Sequence, residues 1–304
     1  MRTNTTRTVH LLVTLAVGAG AVAGCGSEKS NGTGTEVHPT ESAQVEARAR
    51  KVANAWDGSE AAEQWHKGYY PMSEVVQLPE NGLRNEADER AYETGNFDLR
   101  ADLSAAPRKD GQATWETGGS LTMQIMEAQQ AYKALDRDSS PGPRLTVTGA
   151  ELGEMTLVTS RGPATVPAWL FTLDGYDTPL KRAAVNPSKL PEPPIKPARE
   201  IPTDVLAPLG GLVEVAADGR SVTVVATHGS CDEGPTVDAL ETSGSVVLSA
   251  SVAGASEGDC TSEMRGRKVR VKLDRPIGDR ILLDASTGRP VPYGQWPRTS
   301  QSWS

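Results

Sequence analysis

Cys25 carries the clearest chemistry in the chain because of what precedes it. Val22-Ala23-Gly24-Cys25 sets small side chains at a cut site in front of a thiol, the lipobox pattern in which the sulfur receives a diacylglyceryl group. Arg2 and Arg7 form a short positive leader, and the apolar run from Val9 to Gly24 is too short and glycine-rich to span a bilayer as a helix. Residues 1–24 therefore read as a signal peptide, and Cys25 as the lipidated residue of the mature chain. Two acyl chains, at about 0.8 kcal/mol per buried methylene, hold a protein firmly on a membrane. The expected address is the outer face of the cell membrane, with the bilayer as the first partner. Residues 25–40 are rich in Gly, Ser, Thr and Asn and read as a disordered tether, with a reach of roughly 20 Å.

Two further sulfurs, Cys231 and Cys260, would then lie in an oxidising compartment, where a disulfide is the natural use. Closing that loop stabilises by about 3.5 kcal/mol on the chain-entropy model. A metal site would need two more ligands, and only His228 lies near in sequence. No cofactor and no metal are expected. His38, His66 and His228 are the mature histidines, and the local signatures of serine hydrolases, zinc proteases and phosphate-binding loops do not occur. His228 follows Val222, Val224 and Ala226 in phase and reads as a hydrogen-bonded structural residue. Asp136-Arg137-Asp138-Ser139-Ser140-Pro141 begins like a calcium loop, but lacks glycine at its sixth position and has Val147 at its twelfth; it reads as a helix exit.

Two groups offer binding. Trp65, Tyr69 and Tyr70, with Trp56 in the same fifteen residues, would form a stacking surface for a sugar or peptide if exposed and a small helical core if not. Lys268, Arg270 and Lys272 share one strand face within the basic run that also holds Arg265 and Arg267, and would meet anionic headgroups or wall polymers; the plainer role is a solvated strand face. The chain carries 31 basic and 39 acidic residues, a net charge of −8, which disfavours a nucleic-acid partner.

The elements that must position these residues fall into two parts. The apolar stripe Val45, Ala49, Val52, Ala53 and Trp56 predicts a helix over 41–56, followed by a short one over 59–67. Residues 83–93 fit either helix or loop. Strands are expected at 96–103, 112–116, 120–124, 145–152, 155–160, 165–173 and 181–185, with a helix marked by Ala128, Ala131, Tyr132 and Leu135. Residues 41–186 thus read as an α+β domain with an antiparallel sheet. Prolines at 187, 191, 193, 194, 197 and 202 make 187–202 a semi-rigid extended linker. Residues 203–293 alternate in short strands of wet and dry faces, about seven in all, the pattern of an all-β, immunoglobulin-like sandwich; no tryptophan lies between Cys231 and Cys260, so only the generic form is expected. Residues 294–304 read as a flexible tail.

The lipobox, Trp-Asp-Gly-Ser at 56–59, Gly-Tyr-Tyr-Pro-Met at 68–72, Thr-Ser-Arg-Gly-Pro at 159–163, Val-Pro-Ala-Trp-Leu at 166–170 and the cysteine-bearing β region together resemble the secreted lipoproteins of high-GC actinobacteria of the Streptomyces type. That family has no assigned activity, so the resemblance implies an envelope location and no catalytic residue. The expected function is a non-enzymatic binding or interaction module of the envelope, meeting a cell-wall component or membrane protein. The alternative is an envelope hydrolase using Asp and Glu carboxylates of the N-terminal domain.

Overall fold

The computed structural model describes residues 40–103, 110–137, 141–254 and 263–294. Cys25, Cys260 and the residues expected to form the signal peptide, tether and tail lie outside them, apart from Thr40 and Gly294.

The helices are α1 (Glu41–Trp56), α2 (Glu60–Lys67), α3 (Glu86–Thr94) and α4 (Ala128–Leu135). Each of the first three starts on a side chain that accepts a hydrogen bond from a first-turn amide: Thr40 from Ala43, Ser59 from Ala62 and Asn85 from Asp88. Gly95, at φ 72°, ends α3 in the left-handed conformation, where a Cβ would also sit 2.8 Å from the Leu135 carbonyl oxygen. The segment that fits helix or loop is therefore helix from Glu86 onward, with a cap at each end.

The first seven strands are β1 (Val76–Gln77), β2 (Phe97–Leu99), β3 (Asp110–Trp115), β4 (Ser120–Gln124), β5 (Leu145–Thr159), β6 (Gly162–Leu173) and β7 (Leu180–Ala183). They form one sheet around β6, which pairs with β5 on one edge and with β7 and β3 on the other. Pairing is antiparallel except between β2 and β5. The two strands expected at 145–152 and 155–160 are one, because Gly153 marks close packing and no turn: a Cβ there would meet Leu170 at 2.8 Å. One apolar cluster joins this sheet to α3 and α4 through Ala91, Ala131 and Tyr132, and another gathers Tyr69, Trp115, Met155 and Val166.

The remaining strands are β8 (Gly211–Val215), β9 (Ser221–Gly229), β10 (Gly234–Glu241), β11 (Ser245–Ala253), β12 (Met264–Lys272) and β13 (Ile281–Asp284). They make two three-stranded sheets, β10-β11-β13 and β12-β9-β8. Val222, Val224 and Ala226 of β9 pack with Val246, Leu248 and Ala250 of β11 in the layer between the sheets. The chain as a whole is β-rich, with several sheets and four helices among the described residues.

Two packing relations differ from the sequence expectation. The stripe of α1 and α2 docks not on the N-terminal sheet but on the C-terminal one: Val52, Trp56 and Trp65 share a core with Val247, Ile281 and Leu283. Residues 187–202 are not a free spacer, since Leu190, Ile195, Ala198 and Ile201 pack against that core. The physical reason lies in the prolines. They remove amide donors but leave carbonyls, and side chains take these up: Arg48 donates to the Lys196 oxygen at 2.8 Å and Tyr70 to the Lys189 oxygen at 3.0 Å. The described residues from Thr40 to Gly294 consequently fall into one compact unit.

Candidate functional site

The aromatic group is not a recognition surface. Trp65, Tyr69 and Tyr70 are 2%, 0% and 1% exposed, and Trp65 stacks on Tyr70 with ring centroids 4.2 Å apart. This corrects the binding reading of Trp65, Tyr69 and Tyr70. The short α2 brings Trp65 over Tyr70, and the 187–202 segment closes over the pair. Burial drives the Tyr69 phenol well above its ordinary range.

The basic row is where strand alternation puts it. β12 is an edge strand, and Lys268, Arg270 and Lys272 oppose Val225, Thr223 and Ser221 of β9 on the face turned away from the shared core. All three are exposed, and none enters an ion pair among the described residues. Arg270 donates to the Ser221 hydroxyl at 3.0 Å, while Glu214 of β8 stands across Thr223 as the nearest acidic residue in that row.

At one end of the two sheets, His228 and Asp232 border a largely apolar cavity of about 350 Å³. His228 Nδ1 lies 2.8 Å from the Gly229 oxygen, and Asp232 accepts from the Gly229 amide. Both side chains are thus tied to the turn after β9, in keeping with a structural histidine. Cys231, in the same turn, is disulfide-bonded. Asp136 ends α4 and accepts from the Phe97 amide at 3.3 Å, the helix exit expected of it, while Asp138 falls outside the described residues.

A second cavity, about 310 Å³, holds Asp284, whose carboxyl burial pushes up to about 6. A raised carboxyl in a cavity is the first thing a hydrolase would need. Its oxygens, however, are already used: they accept from the Ser286 amide at 2.9 Å, the Thr287 hydroxyl at 2.9 Å and the Leu209 amide at 3.3 Å. Arg48 stitches the same turn by donating to the Ala285 oxygen at 2.8 Å. The other carboxyl raised by burial, Glu74, has Tyr92 and Tyr293 as its charged-state neighbours rather than Asp284. The two do not form an acid–base pair.

The third cavity is a groove of about 420 Å³ between the first turns of α1 and strands β10 and β11. Its rim carries Glu41, Glu46, Asp204 and Asp238; its floor carries Ser249 and Ser251, and Val45, Val205 and Leu240 line the walls. Thr236 and Ser251 continue the floor as a cross-strand hydroxyl pair, 2.9 Å apart. Sequence reasoning missed this groove. The alternating serines of β11 read simply as a wet strand face, and only the docking of α1 turns that face into a cleft. No family model, no curated protein and no solved structure matches this chain.

Proposed function

We propose that the protein is a lipid-anchored lipoprotein of the outer face of the cell membrane, whose folded body is a non-enzymatic binding or interaction module of the envelope. One observation carries this reading: Val22-Ala23-Gly24-Cys25 behind a two-arginine leader. The position of α1 supports it, since its first helical residue, Glu41, stands sixteen residues beyond Cys25. Among the described residues no helix is long and apolar enough to cross a membrane. On the same reading Cys260 is the disulfide partner of Cys231, because Cys25 is committed to its acyl chains. The 39 acidic residues against 31 basic ones favour a wall component or membrane protein over nucleic acid.

The finer architecture belongs to the same proposal: an α+β N-terminal part followed by an immunoglobulin-like β sandwich. The apolar layer between the β11 and β9 faces supports it. The parallel pairing of β11 with β13 is its least typical feature. Kinship with the Streptomyces-type lipoproteins is likewise proposed from the motifs alone. Labelled palmitate tests the anchor: the chain incorporates it, and a Cys25→Ala chain does not. Label retained by Cys25→Ala, or absent from the parent, defeats the reading.

A further inference from the structure

The groove under α1 combines three features that a solvated surface does not need. The first is its asymmetry of charge. Glu46 is ion-paired with Arg50, but Glu41, Asp204 and Asp238 enter no ion pair among the described residues, and no basic side chain lines the groove. The second is its floor. Strand alternation sends Val246, Leu248 and Ala250 towards the sister sheet, so Ser249 faces α1 and the groove. Ser249 is only 4% exposed, yet its hydroxyl makes no hydrogen bond with any described residue. Its oxygen is not sealed from solvent, so it opens onto the groove, where a donor from outside the chain can reach it. The third is the apolar wall of Val45, Val205 and Leu240, which would cover a short hydrocarbon stem.

The described carboxylates do not converge as metal ligands: among the described residues, no three of His, Cys, Asp and Glu are grouped closely enough to hold an ion. A cation with length suits the groove better than a point charge. We propose that this groove binds an aliphatic ammonium group of the lysine or polyamine kind. The methylenes lie along Val45, Val205 and Leu240, the charge rests at the rim of Asp204, Asp238 and Glu41, and the Ser249 oxygen accepts a hydrogen bond from the ligand. The inference goes beyond the lipid anchor and does not depend on it.

Calorimetric titration of the purified full chain in detergent micelles tests it, with spermidine and with trilysine as separate probes at low salt. The expected result is saturable one-site binding of at least one probe. Tighter spermidine binding assigns the site to a free polyamine, and tighter trilysine binding to a lysine side chain of a peptide. Asp204→Asn with Asp238→Asn should weaken the affinity about tenfold or more, and Ser249→Ala about threefold. Glu151→Gln with Glu154→Gln, two exposed acids of β5 far from the groove in sequence and sheet, should leave it unchanged. Thermal melting of each variant keeps folding defects apart from binding defects. No saturable binding of either probe overturns the proposal. So does an equal loss in the β5 control, which would mean attraction to the acidic body as a whole, or an unaltered affinity in Ser249→Ala.

Discussion

The two C-terminal sheets share one apolar layer and differ in what lies behind them. Behind β10-β11-β13 sit α1 and α2, so β11 and β13 carry apolar residues on both faces, Val246 and Leu282 towards the sister sheet and Val247, Ile281 and Leu283 towards the helices, with Ser249 and Ser251 on the helix side where the groove opens. Behind β12-β9-β8 there is water over β12, and the strand alternates strictly between Val269 and Val271 on one side and Lys268, Arg270 and Lys272 on the other. The difference teaches that in this molecule a sheet's second face is written in its partner, not in the sheet. Where the helices pack directly on it, aliphatic residues stand on both sides. Where none does, charge keeps an exposed edge from pairing with other chains.

Placing the same charge on both outer faces breaks the comparison most sharply. Val247→Asp buries an unpaired carboxylate beneath α1 and should cost about 5 kcal/mol, enough to leave the chain largely unfolded by circular dichroism. Thr223→Asp, on the open sheet beside Arg270, should change the urea midpoint by no more than about 0.5 kcal/mol equivalent. Trp56→Ala comes next. Trp56 is fully buried and its indole donates to the Gly288 oxygen at 2.9 Å, so truncation should cost about 3–5 kcal/mol in urea unfolding.

Much of α1 was legible in advance. Val45, Ala49, Val52, Ala53 and Trp56 recur at helical spacing, although the cap on Thr40 falls where the sequence reads as tether. Its docking partner was not legible. The bond from Trp56 to Gly288 spans 232 positions, and no local pattern announces a contact at that range. The proline segment misled for a related reason: composition marks a chain without helix or strand, but its carbonyls are satisfied by Arg48 and Tyr70, which only tertiary structure brings near. Tyr70 misled in turn, because an amphipathic ring reads alike whether its hydroxyl meets water or the Lys189 oxygen. The basic row of β12 was readable because strand alternation is local; its edge position was not, since the order β12-β9-β8 is set by long-range pairing. Ser249 was not, since its burial is decided by α1.

Asp284 closes the covered sheet and should give it a pH dependence. Its folded-state pKa, about 6, stands above the unfolded value of 3.8, so the folded state holds the proton more tightly. Unfolding stability from this group therefore falls as pH rises from about 4 through 6, by about 2–3 kcal/mol in total. Urea midpoints at pH 4.5 and pH 7 should show this slope in the parent chain, and Asp284→Asn should flatten it. The smallest effect belongs to the open sheet. Neutralising Lys268, Arg270 and Lys272 to Gln should shift stability by less than about 0.5 kcal/mol, and sedimentation with anionic vesicles that it leaves unchanged would reduce the row to a solvated strand face.

The anchor is the premise on which location and partner class both rest. Mass spectrometry of the amino-terminal peptide, cut from protein extracted from membranes with detergent, reads it directly. The account predicts a chain that begins at Cys25 and carries a diacylglyceryl mass on its sulfur. An unmodified Cys25, or a chain retaining residues 1–24 and recovered without lipid, would contradict it.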